Sequence, residues 1–229
     1  MKLLSGVSLA QDAASELLYP IMPIMLTTVL GAPPAVVGAI EGIAEGAAAA
    51  LKYVAGRLSD RFGRKPAIVA GYGLAALGKL LVALAVVWPV VLLGRVVDRV
   101  GKGMRGAPRD ALLTVDVERE HLGRVFGFHR TADNFGAVIG PALGLAVLAL
   151  SNGNLRMALW IAVVPAALSA ALTFWVREAP APVRTPEAVD DVAAAQPLPP
   201  RVRSLAALLA VIALVNFPDA LLLLRLHEI

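Results

Sequence analysis

The densest chemistry in this 229-residue chain lies between residues 95 and 109, where Arg95, Asp98, Arg99, Lys102, Arg105 and Arg109 recur at helical spacing. At about 100° per residue they fall within an arc of roughly 120°. Other charges follow the same rhythm. Asp12 and Glu16 lie one turn apart, with Tyr19 and Pro23 on the same face; Glu41, Glu45 and Lys52 form a narrow stripe; Lys79 stands alone; Arg130 and Asp133 sit beside Asn134. Every one of these groups interrupts an apolar run. A charge facing hydrocarbon at mid-depth costs at least ~2.5 kcal/mol, so the groups must face protein or water.

Such a set suits proton exchange. Six carboxylates (Asp12, Glu16, Glu41, Glu45, Asp98, Asp133) nearly balance seven cations (Lys52, Lys79, Arg95, Arg99, Lys102, Arg105, Arg130). A carboxylate beside a like charge holds its proton more firmly and one beside Arg less so; moving one partner therefore loads or unloads a proton. Asp12, Glu16, Glu41 and Glu45 are the expected carriers. Static ion pairing stands as the alternative for each of them alone.

Other chemistries have little to work with. The chain has no cysteine, and His121, His129 and His227 lack metal-ligand spacing. No phosphate-cradling P-loop and no Gly-x-Ser-x-Gly elbow is present. No metal, no cofactor and no enzymatic activity is expected, and nothing points to direct ATP coupling.

The elements that position these charges are membrane helices. Hydrophobic residues make up 58% of the chain and charged residues 17%, and the mean hydropathy is +0.74, well above a soluble domain. A net charge of +4 raises nucleic acid as a partner, but the basic residues cluster between apolar runs, as membrane topology requires. About 20 apolar residues span a bilayer. Seven stretches qualify, at residues 5–28, 34–55, 67–88, 89–113, 124–150, 155–176 and 205–226. The gaps after the second, fourth and sixth are basic: Arg57, Arg61, Arg64 and Lys65; Arg109, Arg119 and Arg124; Arg177, Arg184, Arg201 and Arg203. The others are not, so the amino terminus is expected in the cytoplasm. Trp88 and Trp175 fall at helix ends, where amphipathic rings favour the interface. The fold class expected is all-α and polytopic. Residues 1–176 form a six-helix bundle, 177–203 a Pro/Ala-rich cytoplasmic linker, and 204–229 the first helix of a second, truncated bundle.

Several motifs carry a family resemblance. The run Gly56-Arg57-Leu58-Ser59-Asp60-Arg61-Phe62-Gly63-Arg64-Lys65-Pro66 resembles the signature loop of the major facilitator superfamily, matching every key position. Gly56 admits close approach of helix ends and Gly63 a tight turn. Asp60 is placed to cap a helix start or pair with Arg. The resemblance implies that the loop, including Arg61 and Arg64, latches the outward-facing state by ion pairs, with Arg109 and Asp110 as further gate partners. Arg99 and Gly103, with Lys102 between them, resemble the family's fourth-helix motif, whose Arg is implicated in proton coupling. Gly136, Gly140, Pro141 and Gly144 are similar to its antiporter motif, with Leu145 replacing the final Gly. Small residues at this spacing make a groove for a neighbouring helix, and Pro141 bends its own. Asp12-x-x-Ser15-Glu16, the Glu41–Glu45 segment, Gly71-Tyr72-Gly73, the segment Asp98 to Ala111 and Phe126–Arg130 together resemble a widespread bacterial branch of the family.

The resemblance implies a secondary active transporter of a small solute working by alternating access. Proton-coupled efflux by antiport across the bacterial inner (plasma) membrane is expected, with small-molecule substrate, protons and lipid as partners and nucleic acid excluded. The alternative is a membrane receptor or assembly subunit that reuses the fold without transport. The layout of two six-helix halves makes the chain one wall of a midplane site, lacking a carboxy-terminal half and inactive alone.

Overall fold

A computed structural model describes residues 2–115, 117–177, 199, 202–205, 207–209, 221–223 and 225, with the side chains of residues 53, 56–58 and 60–62 outside the description. Residues 1–179 with 220–229 form one compact unit, and residues 180–219 another. The architecture that follows belongs to the first. The expected linker and seventh helix fall largely outside the described residues, as do the side chains of Asp60 and Arg61.

Among the described residues the regular structure is entirely helical: α1 (Lys2–Ile24), α2 (Pro34–Phe62), α3 (Arg64–Leu84), α4 (Trp88–Leu113), α5 (Leu122–Leu150) and α6 (Leu155–Thr173). Four segments, Pro34–Lys52, Arg64–Leu84, Arg119–Leu150 and Leu155–Thr173, are long and apolar enough to cross a membrane by length and composition. α1 and α4 are long enough too, but carry the charges and polar groups that line the interior.

Local chemistry explains the helix ends. Pro20 and Pro23 lack the N–H that continues α1, and the chain passes into a π-helical turn at Met25–Val29. There Thr27 donates to the Pro23 carbonyl at 3.1 Å and Thr28 to that of Ile24 at 2.7 Å. α2 begins with Pro at its first turn, where the missing donor costs nothing. It then runs on to Phe62, seven residues beyond the expected end at 55. The charged residues at 57, 60 and 61 do not break the helix. The break is Gly63 alone, at φ 94° and ψ 150°, a region essentially restricted to glycine. α6 starts at Asn154, whose side chain accepts from the Met157 N–H at 3.0 Å.

The helices meet through glycine. A Cβ on Gly136 would lie 2.5 Å from the Leu9 carbonyl, and one on Gly140 2.6 Å from that of Ala13. The groove read from the glycine spacing is therefore filled by α1. A second set, not read from the sequence, joins α3 to α4. Gly78 and Gly94 face one another, as do Gly71 and Gly101, each with the other's carbonyl under 3.0 Å from a virtual Cβ. Gly103 brings α4 equally close to Ala48 of α2. α4 is thus pressed against α2 and α3 while α1 is pressed against α5 and α6. Leu17, Leu18, Ile21 and Met22 of α1 share an apolar cluster with Ala158, Leu159 and Ala162 of α6.

Candidate functional site

Close backbone contact along α4 leaves its charged face only side chains to meet, and these sort the charges into two groups. The first is sealed. Arg95 donates through Nε and Nη2 to the two carboxylate oxygens of Glu41, at 2.9 and 2.7 Å, a two-pronged geometry that Lys cannot reproduce. Asp98 accepts from Lys79 at 2.7 Å and lies 3.5 Å from Arg95. Lys79, Arg95, Asp98 and Glu41 are all at least 95% buried. Arg99 continues the row, with Nε 2.8 Å from Glu45, outside hydrogen-bond alignment, and Nη2 3.8 Å from Glu41. The three cations and three carboxylates of this row cancel, which is what lets the buried ones stay ionised inside an apolar bundle; Glu45, its side chain 55% exposed, ends the row at the surface.

The second group opens on a cavity of about 520 Å³ between α1, α2, α4 and α5. Asp12 and Glu16 line it from α1, Lys52 from α2, Lys102, Arg105, Arg109 and Asp110 from α4, and Arg130, Asp133 and Asn134 from α5. Among the described residues, Asp12, Glu16, Lys52 and Lys102 have no ion-pair partner within 4.0 Å. Arg105 stacks its guanidinium 4.5 Å from the centre of the Tyr72 ring, an arrangement worth about 2 kcal/mol when desolvated. Arg109 donates to Asp110 at 3.1 Å and to Ser8 at 3.0 Å, and lies 3.8 Å from Asp133. Arg130 reaches the same Asp133 at 4.0 Å.

The candidate site residues therefore divide. Glu41, Asp98 and Arg99 fall in the sealed row, with Glu45 at its exposed end; Asp12, Glu16, Lys102, Arg130 and Asp133 fall around the cavity. In the loop region, Arg64 donates to the Ala111 carbonyl of α4 at 3.4 Å and Lys65 to the Phe174 carbonyl at 3.0 Å. The described side-chain partners of Arg109 are Asp110, Ser8 and Asp133 rather than the loop. Residues to which the sequence assigned no role also matter. Gln11 is fully buried and accepts from Ser169 at 2.8 Å, tying α1 to α6. Arg156 donates to the Ala83 and Ala85 carbonyls at 3.3 and 3.0 Å, closing the end of α3. An Arg in an otherwise uncharged loop was the only sequence signal for it.

Membrane-length helices around a charged interior cleft define a polytopic all-α membrane protein. The profile of the Major Facilitator Superfamily matches residues 4–226, and the chain belongs to that family, whose members are transporters rather than enzymes. It is 32% identical over 181 residues to an uncharacterized MFS-type transporter of Methanocaldococcus jannaschii, covering 79% of this chain and 45% of the relative. It is 33% identical to the multidrug resistance protein MdtH of Photorhabdus laumondii, covering 55% and 31%. The chain thus spans less than half the length of these relatives. Among solved structures it resembles a D-xylose–proton symporter (TM-score 0.65, 18% identity, 83% of this chain and 51% of that one). It also resembles a peptide transporter (TM-score 0.67, 16% identity, 95% and 46%). At such identities these likenesses concern the fold.

Proposed function

We propose that the protein contributes one wall of a secondary active transporter that moves a small solute across the cytoplasmic membrane by alternating access, coupled to protons and directed outward. One observation carries this reading: a cavity of about 520 Å³ among membrane helices, edged by Asp12, Glu16, Lys52 and Lys102 with no ion-pair partner within 4.0 Å. Asp12 and Glu16 are half-buried carboxylates left unpaired on a helix of a membrane bundle, an energetic cost that a static scaffold has no reason to bear. Asp12 and Glu16 are the proton carriers in this proposal, and a second bundle supplies the facing wall. Gly136, Gly140, Pro141 and Gly144, and the likeness to a multidrug resistance protein, favour export. The basic gaps after the second, fourth and sixth segments favour a cytoplasmic amino terminus.

The test is proton flux in proteoliposomes that hold this chain together with its second bundle. A pH gradient is imposed while charged metabolites and drugs are screened, with Asp12→Asn and Glu16→Gln beside the parent. Substrate-dependent proton movement that either change abolishes supports the reading. Transport that ignores the gradient and survives both changes refutes proton coupling. No flux with any compound favours a receptor or assembly role.

A further inference from the structure

α5 carries a buried pair of which the central cavity takes in only one member. His129 and Asp133 lie one turn apart, 3% and 6% exposed. His129 Nδ1 is hydrogen-bonded to Ser5 Oγ at 3.0 Å. His129 Nε2 and Asp133 Oδ1 face each other at 3.6 Å, and neither has a hydrogen-bond partner. Two buried polar atoms left unmet at this separation are unusual, because each costs about 1–3 kcal/mol. The two residues also open on different spaces. Asp133 lines the central cavity. His129 instead lines a second cavity of about 420 Å³, edged by Phe126 and Gly127, with Arg109, Asp110 and Arg130 shared between the two.

We infer that His129 and Asp133 are a proton-transfer pair linking these two cavities, so that protons reach the central carboxylates through α5. The inference rests on the proposed proton coupling. In the transfer, imidazolium Nε2–H gives its proton to Asp133 Oδ1, leaving neutral imidazole and a carboxylic acid; one positive and one negative charge disappear together. The remaining Nδ1–H donates to Ser5 Oγ, and when Nδ1 is instead unprotonated the Ser5 hydroxyl donates to it. Either tautomer is thereby accommodated. Asp133 then releases its proton into the central cavity, where Asp12 of α1 stands, and His129 is reprotonated at Nε2, the nitrogen left bare, when its ring turns that edge from Asp133 toward the second cavity. Arg109 and Asp110 of α4 and Arg130 of α5 are the charged groups around the pair, with Asp12 on the Asp133 side. Both residues stand on α5, so closing the 3.6 Å gap to a hydrogen bond takes well under an ångström of side-chain rotation within that helix, and rotamer changes of His129 or Asp133 open and close the path.

Two readouts test the pair. The first needs no transport: histidine side-chain nitrogen NMR of the chain in lipid nanodiscs, with the His129 signal assigned by its loss in His129→Gln. His129 should titrate reversibly despite its burial, and Asp133→Asn should shift its midpoint measurably. A His129 held in one protonation state between pH 5 and 9, or a midpoint that Asp133→Asn leaves unmoved, overturns the inference. The second readout uses the reconstituted transporter. His129→Gly should slow proton-driven flux at least about tenfold, leave proton-independent substrate exchange intact, and recover with added imidazole. Loss of both fluxes without imidazole rescue marks a structural histidine and overturns the inference. A parent with no proton-driven flux defeats the transport reading instead, and the NMR titration still decides the pair.

Discussion

Lys79 of α3 and Asp98 of α4 meet at 2.7 Å where Gly78 and Gly94 bring the two helix backbones into contact. The glycines set the distance and the ion pair fills it. The same turn of α4 turns Arg95 toward Glu41 of α2, so one stretch of helix locks three together. Neither feature works without the other. Bulkier residues would separate the charges, and without the charges the interface would rest on dispersion alone.

Breaking this row should therefore cost stability. Lys79→Ala leaves Asp98 buried with only Arg95 at 3.5 Å, and loss of one partner of a buried pair costs about 3–5 kcal/mol. The double replacement Lys79→Met with Asp98→Leu removes both charges and leaves Arg95 bound to Glu41. It should recover most of that loss. Equilibrium unfolding in mixed micelles reads both. A double variant as unstable as the single one would show that the pair contributes beyond its electrostatics.

The sequence made much of this legible, for identifiable reasons. The apolar runs placed the first six helices to within a few residues, apart from the end of α2, because the bilayer fixes segment length. The charges on α4 were legible as one interior stripe because hydrocarbon forbids the alternative. Their division into a sealed row and an open cavity was not legible. It depends on which helix each glycine admits, and glycine spacing names no partner. Gly136 and Gly140 announced a groove by their fourfold repeat; Gly71, Gly78, Gly94 and Gly101 did not, being spread over two helices. The sequence showed of His129 only that it lacks metal-ligand spacing, because Ser5, Asp133 and a second cavity come together around it only in three dimensions.

Glycine substitutions should separate by place. Gly140→Ala puts a methyl 2.6 Å from the Ala13 carbonyl and 2.8 Å from the Leu17 nitrogen, both backbone atoms that move only with α1. A loss of about 1–3 kcal/mol is expected. Gly42→Ala meets nothing within 4 Å, and should be neutral or stabilising by up to about 1 kcal/mol, since Ala is the better helix former. Thermal unfolding of the two proteins side by side checks this. Equal behaviour would contradict the close contact of α1 with α5.

Gly63 carries the whole reversal between α2 and α3 at φ 94°. Any Cβ there is strained, so Gly63→Ala should cost about 1–3 kcal/mol. Because the turn is a single residue, relief of that strain must move Arg64 and Lys65, whose bonds reach Ala111 and Phe174. Limited proteolysis near residue 63 should accelerate in the variant. Unchanged cleavage and stability would mean that the turn can be made in another backbone conformation.

The two charge groups should also differ in reactivity. A water-soluble carbodiimide with a small amine modifies only carboxyls that water reaches. Asp12 and Glu16 edge the cavity, while Glu41 and Asp98 are 5% and 3% exposed and engaged by Arg95 and Lys79. Peptide mapping after brief labelling should find the first two modified at least about tenfold more than the second two, since each buried pair must open before it reacts and opening costs about 3–5 kcal/mol. Lys79→Ala should not make Asp98 as reactive as Asp12, because Arg95 and the α3–α4 contact still cover it. Comparable labelling of all four carboxyls would mean that water reaches the sealed row. The static pairs and the proposed proton carriers would then belong to one continuous site.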